Sequence, residues 1–259
     1  MKAIHASIAV LAFCLTTKVL SAQEYKVRVE NTKATKLVLR DFAGDFPVEG
    51  YNGSDIVFTS TSERFSRIPD RARGLKPVYA KGTDNTGLGL RVEKNGNTVT
   101  VSSLLPITQR ESYRVKVPNN LALNINSGCE FSGNITITNV NNEVEINNCN
   151  TINVKAVTGP LVLSTISGDI NVVLNDLNRD KPTSIASVSG NIDITLPAKT
   201  AADLEMGTIS GNVYTDFDLT NAKDKMRRIG GNNVKNTLNG GGADLKISNV
   251  SGDIYLRKG

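Results

Sequence analysis

The chain has 259 residues, 39% of them hydrophobic, with a formal charge of +5 and a single histidine. That apolar content is enough to bury a core and argues against disorder, while so mild and thinly spread a basic excess gives no nucleic-acid footprint. Aromatic residues make up only 5%, Trp is absent and there are 22 glycines, so strands joined by tight turns are expected in place of packed helices.

Residues 1–22 read as an export signal. Lys2 supplies the positive start, AIHASIAVLAFCL the apolar stretch and LSA before Gln23 a small-residue cleavage site, with Lys18 interrupting the pattern. A buried strand of the mature fold is the structural alternative. The run falls short of the ~20 residues a membrane-spanning helix needs, and Phe13 is bulky for the position ahead of a lipidated Cys14. Cleavage after Ala22 removes His5 and Cys14 and leaves 237 residues, two cysteines and a charge of +3. Without imidazole there is no Ser-His or Cys-His nucleophile and no His-based zinc or iron site. Neither a metal nor a cofactor is therefore expected.

From residue 36, KLVLRDFAGDFPVEGYNGSDIVFTS reads as three short strands separated by Gly-containing corners. Residues 60–87 break that pattern and read as an inserted basic loop. It carries Arg64, Arg67, Arg71, Arg73, Lys76 and Lys81 against Glu63, Asp70 and Asp84. A solvated loop is the plain reading; an anion-binding patch, with Arg64, Arg67, Arg71 and Arg73 as the binding residues, is the functional one. LRVEKNGNTVTVSS, residues 90–103, is a hairpin candidate around Asn95-Gly96.

From about residue 117 the chain repeats. Ser-Gly units place Gly133, Gly168, Gly190, Gly211 and Gly252 at intervals of 35, 22, 21 and 41, which implies coils of about 21 residues, the last interval spanning close to two. Behind each glycine apolar residues alternate, as in Ile135 and Ile137, Ile170, Val172 and Leu174, Ile192, Ile194 and Leu196, and Ile254 and Leu256. Period two means a strand with one face buried. NEVEI, TINVKAV and PLVLSTI lie between these units, so each coil is expected to hold two strands, every copy lying parallel on its predecessor. The glycines are read as structural corners using positive φ, with Ser and Asn or Asp bonding the turn's own amides. A calcium ladder from Asp169, Asp193 and Asp253 with Asn134, Asn191 and Asn212 is the alternative, although the nonapeptide pattern of such ladders is absent.

Cys129 and Cys149 stand 20 residues apart, close to one coil, so a disulfide could staple adjacent coils in an oxidising compartment. A second basic run, KDKMRR, holds Lys223, Lys225, Arg227 and Arg228 between the last two Ser-Gly units. The fold class expected is all-β: a parallel, β-helix-like solenoid forming one domain over residues 23–259, most regular over 117–259, with a less regular N-terminal β section.

VKVPNNLALNINSGCEFSGNITI, ITLPAKTAADLEMGTISGNVYTDF and the closing LNGGGADLKISNVSGDIYLRKG resemble a bacterial family of exported, adhesin-like proteins, a domain of unknown function built from β-strand repeats. The resemblance runs from about residue 36 to the end. It implies the solenoid and an envelope setting, with an Asn-rich style similar to Bacteroidetes envelope proteins, and carries over no catalytic or ligand-binding residue. The long basic insertion and the residues around Lys223 to Lys235 depart from the pattern.

The function expected is that of a non-enzymatic exported protein of the periplasm, outer-membrane surface or exterior. It would bind a surface glycan or an envelope protein, as a monomer or an end-to-end dimer. A polysaccharide-acting enzyme is the alternative, using carboxylates such as Asp193 with Glu205, or Asp244 with Lys246, in a groove. A protein-contact regulator of envelope sensing is the third reading.

Overall fold

The computed structural model describes residues 23–60, 62–66, 69–131, 133–219 and 232–259. The export-signal reading, Arg67 and the KDKMRR run fall outside the described residues. The N-terminal section forms β1 (Gln23–Arg28), β2 (Lys36–Arg40), β3 (Phe46–Tyr51) and β4 (Asp55–Ser60). In the insertion follow one helical turn, α1 (Glu63–Ser66), a 3-10 turn at Asp70–Ala72, and the two-residue strands β5 (Val78–Tyr79) and β6 (Gly82–Thr83). β7 (Leu90–Asn95) and β8 (Thr98–Ser103) pair as an antiparallel hairpin. Its turn glycine, Gly96, sits at φ +55°, the left-handed conformation that primed hairpin turns demand.

The repeats then run as β9 (Arg114–Pro118), β10 (Ala122–Asn126), β11 (Ile135–Thr138), β12 (Val144–Asn148), β13 (Ile152–Val157), β14 (Leu161–Ser167) and β15 (Ile170–Leu174). They continue as β16 (Thr183–Ser189), β17 (Ile192–Leu196), β18 (Ala202–Ser210), β19 (Val213–Thr215), β20 (Asn232–Leu238), β21 (Ala243–Ser251) and β22 (Ile254–Lys258).

Two ten-stranded sheets result. One has the order β1-β4-β9-β3-β11-β13-β15-β17-β22-β19 and the other β20-β18-β21-β16-β14-β12-β10-β2-β8-β7. Every coil is one strand of the second sheet followed by one of the first, and the coils stack in the same order in both. Pairing between coils is parallel throughout. The antiparallel pairs, β1·β4, β4·β9, β7·β8 and β18·β20, sit at the two ends of the stack.

The register makes the inward residues into columns. Phe46, Ile135, Ile152, Ile170, Ile192 and Ile254 are successive partners in one sheet, and each is buried. Leu39, Ile125, Ile146, Leu163, Ile185, Ile247 and Met206 form such a column in the other. Each fully buried aliphatic side chain removes apolar area worth about 1.5–3 kcal/mol, and the alternation puts nearly all of it between the sheets.

Two features differ from the sequence reading. Register offsets of 17, 18 and 22 residues separate Ile135, Ile152, Ile170 and Ile192; the 35-residue interval thus contains an extra corner at Asn150-Thr151 where Ser-Gly is missing. The coils also do not all follow chain order. The coil of β21 and β22 is inserted between that of β16 and β17 and that of β18 and β19, so Ile192 pairs with Ile254, 62 residues on. At the other end the β2 and β3 coil lies between those of β8 and β9 and of β10 and β11.

Candidate functional site

The repeated motif is consumed by the fold. Gly168, Gly190 and Gly252 adopt φ of +138°, +129° and +129°. Gly133 and Gly211 lie outside the positive-φ region; there a Cβ would run into the carbonyls of Gly44 and Gly252 in the adjacent coil. The Asx residues bond across coils and not within their own turn: Asp45, Asp169 and Asp253 Oδ1 each accept from the backbone N–H of Asn134, Asn191 and Asn212 at 2.8 Å.

A second polar column, missed in the sequence, lies three residues before the glycine. Thr165 Oγ1 donates to Asn150 O at 2.8 Å, Asn249 Nδ2 to Gly190 O at 2.8 Å and Thr208 Oγ1 to Gly252 O at 3.0 Å. All three side chains are buried, and bonding a corner carbonyl gives each buried donor the partner it needs. Among the described residues there is no group of three or more His, Cys, Asp or Glu that could hold a metal ion. Cys129 and Cys149 are disulfide-bonded with Cα atoms 5.1 Å apart, joining the turn after β10 to the end of β12.

The carboxylates named for hydrolytic chemistry are dispersed. Asp193 on β17 takes a bidentate hydrogen bond from Arg257 of neighbouring β22, at 2.8 and 2.9 Å. Glu205 lies on β18 in the other sheet, 3.3 Å from Lys235 and in register with Lys246. Asp244 and Lys246 are both exposed on β21. Two acids on opposite sheets cannot flank one glycosidic bond.

The second sheet's outer face carries an apolar ridge instead. Ile166, Val188, Val250 and Ile209, each two residues before a corner glycine, are 44–64% exposed. Their flanking residues are register partners from coil to coil. Near its end, Gly207 and Ser248 floor a groove of about 330 Å³ with Ile209 and Val250 along it.

The insertion builds the other concavity. Phe65 of α1 is buried and its ring stacks 6.5 Å from Tyr113, which meets Phe42 edge-on at 5.5 Å. Aromatic residues are scarce in the chain, and this cluster with Phe46 and Phe58 anchors the insertion to the core. Asp84 is 4% exposed and holds the following loop: its Oδ1 accepts from Thr86 N, Thr86 Oγ1 and Gly87 N at 2.8, 2.8 and 3.0 Å, and Oδ2 from Gly89 N at 2.8 Å.

Over these supports opens a cavity of about 400 Å³ walled by Phe65, Pro69, Ala72, Leu75, Pro77 and Tyr79, with Arg64 and Lys76 contributing cations. Burial, and secondarily the Asp84 charge, pushes the Tyr79 phenol up, while Arg64 opposes the shift. Arg64 also donates to Gln109 Oε1 at 3.0 Å. Arg73 pairs with Asp70 at 2.9 Å, both well exposed, a contact worth at most about 1 kcal/mol. Arg71 is exposed on the 3-10 turn. Of the three described arginines named from the sequence, Arg64, Arg71 and Arg73, Arg64 alone lines the cavity, and its companions there include the apolar Leu75, Pro77 and Tyr79 of GLKPVYAKG, which charge-counting passes over.

The chain matches the family model described as Toastrack DUF4097 over residues 14–257. It belongs to that family. The Toastrack chain is similar to a solved, proposed cell adhesion protein from Clostridium sporogenes, at 12% identity over 92% of this chain and 100% of that one, with a TM-score of 0.47. A proposed adhesin from Bacteroides fragilis shares 11% identity over 92% and 97%, TM-score 0.42. A proposed lipid binding protein from Parabacteroides distasonis shares 14% over 91% and 96%, TM-score 0.36. Similarity at this level says nothing of ligand. No curated protein matches the chain. No helix among the described residues is long and apolar enough to cross a membrane.

Proposed function

We propose that this Toastrack protein is a non-enzymatic, exported envelope or cell-surface scaffold, adhesin-like in build. It engages a carbohydrate or protein partner through its basic insertion. One contrast carries the reading: the repeats spend their polar side chains on neighbouring coils. The insertion, by contrast, presents exposed arginines at Arg64, Arg71 and Arg73 beside exposed Leu75 and Val78. Cationic and apolar groups together on a loop held by a rigid body are the usual make-up of a recognition surface. The test is an array of glycans and envelope fractions probed with the protein and with a variant changing Arg64, Arg67, Arg71 and Arg73 to Ser. Saturable binding that drops at least tenfold in the variant is the expected result. Undiminished binding by the variant would move the site to the outer faces of the sheets.

A further inference from the structure

The cavity under the insertion has a chemistry that partner binding through surface arginines does not require. Its described lining is mainly apolar, and at about 400 Å³ it is of the size that small-molecule sites have, roughly 300–1,000 Å³. Leu75 and Val78 at and beside its mouth are 71% and 77% exposed, an unusual cost for a loop with no strand pattern to enforce apolar residues there.

Charge at the opening is one-sided. Two other cations of the insertion have acid partners: Arg73 in Asp70, and Lys81 in Asp41 at 3.0 Å while its ammonium lies 3.7 Å over the Phe131 ring. Among the described side chains no carboxylate pairs with Lys76, and Arg64 donates to the neutral Gln109. Among the described residues the one acid in the lining, Asp84, already accepts from three backbone amides and a hydroxyl, so its charge is turned into the loop.

We infer that this cavity is a binding site for a small amphiphile: an aliphatic chain seated against Phe65, Ala72, Leu75 and Tyr79, carrying an anionic head held by Arg64 and Lys76. An uncharged chain would leave the two cations unmatched, and a bare anion would leave the apolar walls wet. The site goes beyond the partner reading above and stands on the cavity's own residues. The Asp84 carboxylate fixes the loop from Thr86 to Gly89, and Asp84 and Gly87 line the cavity.

Calorimetric titration of the purified protein with decanoate, decan-1-ol and acetate tests this. Decanoate is expected to bind once per chain, at least tenfold more tightly than decan-1-ol, with acetate silent. Changing Arg64→Gln together with Lys76→Gln should bring decanoate down to the level of decan-1-ol. Ala72→Phe, which fills the cavity from the 3-10 turn, should abolish both while leaving the urea midpoint unchanged. Decanoate affinity unaltered by both variants, acetate competing as well as decanoate, or adsorption seen only on phosphatidylglycerol vesicles would each overturn the assignment. A negative array result above, with decanoate binding intact, would separate the two readings.

Discussion

At a coil corner separate demands fall on four residues within a span of five. In NVSGDI the Asn249 amide reaches back to the Gly190 carbonyl, Val250 faces solvent, Gly252 turns at φ +129° and Asp253 accepts the next coil's amide. Changing Gly190→Ala places a Cβ against the Gly168 carbonyl at a φ of +129°. A cost of about 2–4 kcal/mol is expected in urea unfolding. Gly240→Ala, with positive φ and open space around it, should cost about 1 kcal/mol; equal losses in the two would mean that inter-coil contact does not matter. Thr208→Val leaves the Gly252 carbonyl without its hydroxyl donor and should cost about 1–2 kcal/mol. Val188→Ser on the exposed ridge should change stability by no more than about 0.5 kcal/mol.

Strands were legible because period two and the Ser-Gly punctuation report local geometry. The buried face of each repeat, from Ile135 to Leu256, could be read from alternation alone. The cavity was not, because it depends on where α1 and the 3-10 turn fold over β5, and on an aromatic cluster drawn from segments as distant as Phe42 and Tyr113. Nor was the direction of the Asx bonds, since a side chain that can cap its own turn can equally cap the neighbour stacked 4.8 Å away.

Contacts of this kind also span more than one coil. Lys36 Nζ of β2 lies 3.1 Å from Glu145 of β12, across β10. Chiefly through that bond, and with Asn124 assisting, the Glu145 carboxyl is held below its ordinary value of 4.5. A depressed carboxyl lends stability above its unfolded value and loses it as pH falls through the folded one. Glu145→Gln should therefore flatten the acid limb of stability below about pH 4.5. The pair is substantially exposed, so the effect is small at neutral pH and fades with salt. Reduction of Cys129–Cys149, which closes a loop of about 20 residues, should lower stability by about 3 kcal/mol.

In an ordinary solenoid each coil contacts only its sequence neighbours, and removing the last one costs a single interface. Here the coil of β21 and β22, last in the described chain, is interior to the stack: β21 pairs with β16 on one side and β18 on the other, and β22 with β17 and β19. The order has a physical use at both ends. Three of the four outermost strands are antiparallel to their neighbours and bear charge, with Glu24 and Lys26 on β1, Arg91 and Glu93 on β7 and Lys235 on β20, while the fourth, the parallel β19, has only three residues. Such edges resist pairing with another copy. The same order makes pairing highly non-local, joining Ala122 to Lys36 and Thr183 to Leu245, so folding should take milliseconds to seconds or longer. Deleting residues 243–259 would leave β16, β17, β18 and β19 without their shared partners. The expected result is loss of cooperative unfolding followed by circular dichroism in urea. A truncated chain that still unfolds in one transition, at a midpoint lowered only by one coil's worth, would mean that β18 and β19 can close onto β16 and β17 directly and that the inserted coil is dispensable to the stack.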